Sequence, residues 1–395
     1  MKKGDTRRAA TIMKDSDLRY RLALKFTEGV GNVGIRNLLS SFGNAAATFR
    51  ASPEDLKRVE GINARAARNI LSFRDWRRVD RELDTAAKKN VSIITAEDAL
   101  FPRYLLNIYD CPAVLYLRGT LRKDDVNVAV VGSRVASTYG KYTTERLSRE
   151  LTLRGITVVS GLARGIDAAA HRGALLAKGR TIAVLGSGID VIYPPEHREL
   201  FERIAERGAV MSEFPLETPP NATNFPARNR IISGMSLGVV VVEAGERSGS
   251  LITARTAMEQ GREVFAVPGS IDASGSRGTH KLIRQGAKLI ENIHDILEEI
   301  LPQVDEAGKK RLAKEGPAPD GRVSGKNRTG KVAALDEDQM KILGLISRKP
   351  MDPDGIIAAT GLKAQEVMRT LLTLELTGLV EQLPGKRFVR KDHDA

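Results

Sequence analysis

Residues 237–269, "LGVVVVEAGERSGSLITARTAMEQGREVFAVPG", place two apolar runs on either side of one amphipathic stretch. The runs "LGVVVVEAG" (237–245) and "EVFAVPG" (263–269) are short, continuous and valine-rich, the pattern of strands covered on both faces. Between them, "ERSGSLITARTAMEQG" has room for one helix capped by serine at its start. The same alternation extends outward through "VNVAVVGSR" (126–134), "ITVVSG" (156–161), "RTIAVLGSG" (180–188), "GAVMSE" (208–213) and "AKLIEN" (287–292). Short apolar strands separated by helices of roughly 10–15 residues predict an α/β core, a doubly wound, Rossmann-like parallel sheet over residues 91–300. Ligands of such sheets bind at the carboxyl ends of the strands.

The flanking blocks differ. Residues 17–90 are helix-patterned and contain a repeat, "LKFTEGVGNVGIRNLL" (24–39) and "LKRVEGINARAARNIL" (56–71), with Gly29 and Gly61 in register. This resembles a SAM-like, helix-hairpin-helix domain whose turn amides can grip phosphates. A helical bundle that only packs or dimerises is an equal alternative, and Asn63 stands where the second hairpin wants glycine. "GVGNVG" also spells GxGxxG, but no strand precedes it, so a dinucleotide site is rejected. Residues 303–334 are Gly/Pro/Lys-rich and predict a flexible linker. Beyond it, residues 335–391 carry three helical stretches and then "LVEQLPGKRFVRK", the order of a winged helix.

Composition narrows the function. Lysine and arginine number 62 against 49 acids, a formal charge of +13 spread along the chain, so an anionic polymer is the first partner to consider. Aromatic residues make up 5%, which predicts phosphate contacts and not an extended stacking platform. A single cysteine, Cys111, excludes a disulfide framework and a cysteine-based zinc site. No metal or cofactor is expected. The chain has no apolar run of membrane-spanning length, and its first residues lack a signal-peptide core, so a cytoplasmic protein without membrane attachment is expected. There is no GxxxxGK[ST] or HExxH. "GMSLG" (234–238) runs from helix into strand, the reverse of a hydrolase nucleophile elbow. Asp167 and His171 share a helix face, either as a cap and a packed histidine or as a general-base pair.

Nearly every core strand ends in a small-residue loop: Gly132-Ser133-Arg134, Ser160-Gly161, Gly186-Ser187-Gly188, Gly245 to Ser250 and Pro268-Gly269-Ser270. Such loops admit a close ligand and aim helix-start amides at an anion. In "NFPARNRIISG" (224–234), Phe225, Ile231, Ile232 and Met235 form one helical stripe with Arg228 at its centre, and Arg230 projects from the opposite side. Arg228 needs a counter-anion, either a carboxylate such as Glu243 or Glu213 or a bound phosphate with its guanidinium reaching the crevice. Arg230 is left to a second phosphate, a partner subunit or water. Phe225 is either core or a base-stacking surface.

The motifs "VVGSR", "VVSGLARGIDAAAH", "AVLGSGIDVIYPPEH", "SEFPLETPPNATNFPARNRIISGMS", "VVVVEAGERSGSLITARTAMEQGREVFAVPGS" and "GTHKLIRQGAKLI" together resemble the DNA-processing protein A (DprA/Smf) family. That resemblance implies a non-enzymatic, dimeric protein of natural transformation. Such a protein binds single-stranded DNA, protects it, overcomes single-strand-binding protein and loads a RecA-type recombinase. It implies DNA contacts at Gly132, Ser133, Arg134, Gly161, Arg164, Arg228, Asn229, Arg230, Ser248, Gly249 and Ser250. Lys386, Arg387 and Arg390 in the wing form a secondary DNA or partner contact, and the segment around His280 a dimer surface. Pro195 stands where some members carry a DNA-contacting lysine. Two competing functions remain: a nucleotide N-glycoside hydrolase using Glu243, and a transcription regulator led by the winged helix.

Overall fold

The structure, a computed structural model, describes residues 17–315, 337–346, 351–376, 379–383 and 387–390. Six helices come first: α1 (17–26), α2 (Asn32–Phe42), α3 (Ala45–Thr48), α4 (Pro53–Arg58), α5 (Ala64–Leu71) and α6 (Trp76–Lys88). The side chains of Asn44, Ser52, Asn63 and Asp75 each accept from an amide three residues on and so fix four of the starts. Both hairpins expected from the repeat are present. Each turns on a glycine of positive φ, Gly29 at +85° and Gly61 at +83°. They pack on each other around Leu24, Ile35, Leu38, Leu56, Ile62 and Ile70.

The sheet follows: β1 (Ser92–Ile94), β2 (Leu115–Gly119), β3 (Asn127–Val131), α7 (Thr138–Leu153), β4 (Thr157–Ser160), α8 (Ile166–Leu176), β5 (Thr181–Leu185), α9 (Arg198–Arg207) and β6 (Ala209–Ser212). It continues with α10 (Asn224–Gly234), β7 (Gly238–Val241), α11 (Gly249–Glu259), β8 (Glu263–Ala266), α12 (Arg277–Arg284), β9 (Lys288–Leu289) and α13 (Ile293–Ile300). The strand order is β1-β2-β6-β5-β4-β3-β7-β8-β9. All seven expected strands, β3 to β9, pair in parallel. Two antiparallel strands, β1 at the edge and β2 between it and β6, were not anticipated. Strand alternation sorts the core into two layers. Ala129 and Val131 of β3 face α10 and α11 through Ile231, Ile232, Met235, Ala254 and Ala257. Val128 and Val130 face α7 and α8 through Leu147, Leu151, Ala170 and Ala174. Each buried Val, Leu, Ile or Met among them contributes about 1.5–3 kcal/mol, so this double layer fixes the strand ends that carry the site.

Two boundaries differ from expectation. Leu22, Val79 and Ala86 of the helical block share a core with Tyr116, Ala183 and Val210 of the sheet. The described residues 17–315 accordingly form one compact unit and those from 337 to 390 the other. The expected linker also starts too early: within it lies α14 (Glu306–Glu315), held by buried Arg311, which donates to the Gly155 carbonyl and pairs with Asp125 at 3.4 Å. The second unit contains α15 (Glu337–Leu345), α16 (Pro353–Thr360), α17 (Ala364–Leu376) and the antiparallel pair β10 (Val380–Leu383) and β11 (Arg387–Arg390). Ile342, Ile356, Leu371, Val380 and Phe388 form its core, a winged helix as expected.

Candidate nucleic-acid interface

After β3 the chain builds outward through β4, β5 and β6, then returns to β7 on the other side of β3. The loops that follow β3 and β7 therefore diverge, and a crevice opens at the carboxyl edge of the sheet. Its cavity of about 520 Å³ is lined by Gly132, Ser133, Arg134, Asp167, Phe225, Arg228, Asn229, Ser248, Gly249 and Ser250, among others. The two loops are tied by the Ser133 amide, which donates to the Glu243 carbonyl at 2.7 Å. A Cβ on Gly132 would lie 2.6 Å from Ile166 Cγ1 and 2.8 Å from that same carbonyl, so only glycine fits there. The Ser133 hydroxyl donates to the Val135 carbonyl and accepts from its amide, which turns Arg134 outward. Opposite, Ser248 caps α11, its Oγ 2.8 Å from Ser250 Oγ. The start of that helix lines the crevice, with Gly249 exposed and the Ser250 amide donating to Ser248 Oγ.

The arginines divide sharply. Arg134 is exposed, its guanidinium carbon 4.7 Å from the centre of the Phe225 ring, and it has no ion pair among the described residues. Arg228 is 3% exposed, and its guanidinium does not reach freely into the crevice as expected. Nη1 donates to the carbonyls of Gly161, at 2.7 Å, and Val184, while Nε donates to Asn229 Oδ1 at 3.0 Å. It staples the ends of β4 and β5 together. Burial lowers its pKa to about 10, so it remains charged at neutral pH. Neither Glu243 nor Glu213 is its counter-charge. That role falls to buried Asp167, which accepts from the Gly161 and Ala163 amides at 3.2 and 3.4 Å. Burial pushes the Asp167 carboxyl above its usual range, and Arg228 opposes the shift.

Arg230 does project from the other side, into a node of carboxylates. It pairs with Glu213 and with Asp110, in a node where Glu213 also accepts from Asn32 Nδ2 at 2.6 Å. It is not among the residues that line the cavity. Asn229 stays, half-buried at the cavity wall. Gly161 and exposed Arg164 line an adjoining hollow of about 140 Å³ with Arg134, Gly186, Tyr193 and Phe225. Arg164 pairs there with Glu196 at 2.5 Å.

Tyr193 escaped the sequence reading. It is 39% exposed, and its ring centre lies 6.1 Å from that of half-buried Phe225. Gly186 makes room for Phe225, since a Cβ there would sit 2.8 Å from the ring. Few aromatics thus still give a paired aromatic rim. The glycine of "GSG" was a usable signal; nothing local marked Tyr193.

Other candidates resolve as structure. His171 is fully buried, its Nδ1 2.7 Å from Thr181 Oγ1, and burial lowers its pKa to about 3. It is neutral and no general base. Glu243 accepts from the Ser137 amide and hydroxyl at 3.0 and 2.8 Å and so caps α7. Ser236 of "GMSLG" is buried and donates to the Ile232 carbonyl. Burial pushes the Cys111 thiol up to about 11. His280 is half-buried, with Nε2 3.1 Å from the Gly269 carbonyl. The hairpin turns are flanked by exposed Glu28 and Glu60, and Asn63 occupies the Ala66 amide. In the wing, Arg387 is exposed, only the backbone of Arg390 is described, and Lys386 lies outside the described residues. Among the described residues there is no acid, His or Cys group that could hold a metal, and no helix long and apolar enough to cross a membrane.

Sheet order, a switch-point crevice rimmed by glycine loops and arginine, and a separate winged helix together define a Rossmann-type protein with an appended winged-helix domain. Residues 92–301 match the family model for DNA recombination-mediator protein A, and residues 327–386 that of the DprA winged helix domain. The chain is 37% identical to protein Smf of Synechocystis over 96% of its own length and 100% of the relative's. It is 41% identical to protein Smf of Escherichia coli, covering 82% and 84%. The X-ray structure of DNA processing protein A from Streptococcus pneumoniae superposes with a TM-score of 0.63 at 38% identity, covering 71% of this chain and 98% of that one. The chain belongs to the DNA-processing protein A (DprA/Smf) family.

Proposed function

We propose that the crevice binds the sugar-phosphate chain of single-stranded DNA, and that the protein is a non-enzymatic mediator of natural transformation in the cytoplasm. It shields incoming DNA, competes with single-strand-binding protein and hands the strand to a RecA-type recombinase. The observation that carries this reading is Arg134, an exposed cation without an acid partner among the described residues, stacked over Phe225 at the mouth of the crevice. Phosphates would meet Arg134 and the α11 start, and an unstacked base would meet the Tyr193–Phe225 pair, an option a paired duplex lacks. Gly132, Ser133, Gly161, Asn229, Ser248, Gly249 and Ser250 shape the path. Arg164 borders it, and Arg228 holds its floor without direct contact.

A homodimer is part of this proposal. β9 is an open, two-residue edge with Leu289 44% exposed, which suits pairing with a second copy. The hydrolase alternative is disfavoured because the Glu243 carboxylate is engaged as a helix cap.

The test is a titration of single-stranded oligonucleotides against wild type and Arg134→Ala, with duplex as competitor. A loss of tenfold or more, with duplex displacing poorly, is the expected outcome. Wild-type affinity in Arg134→Ala overturns the crevice.

A further inference from the structure

One wall of the crevice is a single helix. Phe225, Pro226, Arg228, Asn229 and Ile232 of α10 all line it, so a turn of α10 about its own axis moves the aromatic rim and the Asn229 wall together. The core beneath α10 is apolar, through Ile231, Ile232 and Met235. Apolar burial is non-directional, so it sets how close the helix lies more firmly than how it is turned. Direction comes from the far side. Arg230 donates to the Asp110 carbonyl at 2.6 Å, pairs with the Asp110 carboxylate at 3.0 Å and pairs with Glu213. The two acids belong to separate segments, the loop before β2 and the end of β6. Glu213 is itself held by Asn32 at the start of α2, and Asn32 Oδ1 in turn accepts from the Ala113 amide at 3.2 Å. The Arg230 carbonyl accepts from Gln260 Nε2 at 3.0 Å, at the far end of α11, whose start forms the opposite wall. The side chains of Arg230 and Glu213 are only 11% and 9% exposed, so solvent screens their pairing little.

We propose that Arg230 is a positioning residue for the crevice: without touching the strand, it sets the turn of α10, and so the placement of Phe225, Arg228 and Asn229, from behind the wall. This rests on the crevice reading and adds to it a residue outside the cavity. A planar guanidinium gripped by two acids from different segments defines an orientation, which a flexible ammonium in its place would not. The same fork explains why two arginines two positions apart cannot exchange roles: Arg228 meets carbonyls under the crevice, and Arg230 meets carboxylates behind it. A variant lacking Arg230 still leaves Glu213 its hydrogen bond from Asn32 and its attraction to Lys25 of α1.

The experiment uses the full chain and a fluorescent oligothymidylate of about 20 nucleotides, longer than a typical single site. Arg230→Met, Arg230→Lys and Arg134→Ala are titrated at several salt concentrations, and thermal melting by circular dichroism checks that each is folded. Arg230→Met should bind about fivefold to tenfold more weakly with the log-log salt slope unchanged, because a loosened wall loses fit and not a charge contact. Arg230→Lys keeps a charge beside Glu213 but lacks the fork, so it should fall between Arg230→Met and wild type, again without a change of slope. Arg134→Ala should take about 0.7 off the slope. Wild-type affinity in folded Arg230→Met overturns the inference and leaves Arg230 a role in stability alone. If that variant does not fold, wild-type affinity in Arg230→Lys does the same. A slope smaller by about 0.7 in Arg230→Met also overturns it, because the guanidinium then meets a phosphate. Should Arg134→Ala bind as wild type at every salt concentration, the crevice reading fails and the inference fails with it.

Discussion

Arg228 and Arg230 stand two positions apart on one helix and serve opposite sides of it, one under the crevice and one in the node with Glu213 and Asp110. Arg228→Met would leave Asp167 buried without its counter-charge, which costs about 3 kcal/mol near neutral pH. The sign with pH follows from the raised carboxyl. The fold favours protonated Asp167, so this contribution is present at low pH and is lost as pH rises through the folded-state pKa. Removing Arg228 lifts that pKa further. Urea midpoints of Arg228→Met should therefore fall more steeply than wild type as pH rises above the ordinary carboxylate range, and Arg228→Met with Asp167→Asn should flatten the profile. Parallel profiles for wild type and Arg228→Met would remove Asp167 from the account. Arg134 and Ser248 to Ser250 were legible in the sequence because glycine and serine loops mark strand ends. The role of Arg228 was not, because its partners, the Gly161 and Val184 carbonyls, are distant in sequence and carry no side-chain signature.

At the scale of elements, α14 is the instructive miss. "EAGKKRLAKE" is charged almost throughout and lies in a Gly/Pro/Lys-rich tract, so composition alone assigns it to a linker. What holds it is one cation carried on an apolar stem: Arg311 is 6% exposed, facing Asp125, which also accepts from Thr157 and Arg180. Arg311→Met should strip α14 of hydrogen-exchange protection in the full chain while β3 and β4 keep theirs. The change corresponds to about 1–3 kcal/mol for a buried acceptor losing a charged donor. Unchanged exchange across 306–315 would mean that Leu312 and Val304, not the ion pair, anchor the helix. β1 and β2 were missed for a related reason. Pro102, Pro112 and a 3-10 turn at Arg103–Asn107 separate them, with no intervening α-helix to set a βαβ period. The central parallel strands were legible because β3, β5 and β7 are buried along their whole length, a pattern of coverage on both faces, whereas β9 (Lys288–Leu289) is a short, partly exposed edge.

The whole molecule divides its charge unevenly between jobs. Arg134, the α11 start and the node around Arg230 all lie within residues 17–315. In the second unit, residues 362–376 hold Lys363 and Arg369 against Glu366 and Glu375, a near-neutral stretch where a base-reading helix would be basic. Single-strand affinity should therefore reside in the first unit. A chain ending at Asp320 should bind a single-stranded oligonucleotide within about twofold of the full protein and with the same salt slope, because no phosphate contact is lost. On the proposed function, transfer of the strand to a recombinase is what the shortened chain should lose. An electrophoretic titration of both chains at two salt concentrations decides the first point. A drop of tenfold with a shallower slope would place phosphate contacts in the second unit, with exposed Arg387 of the wing the first residue to substitute.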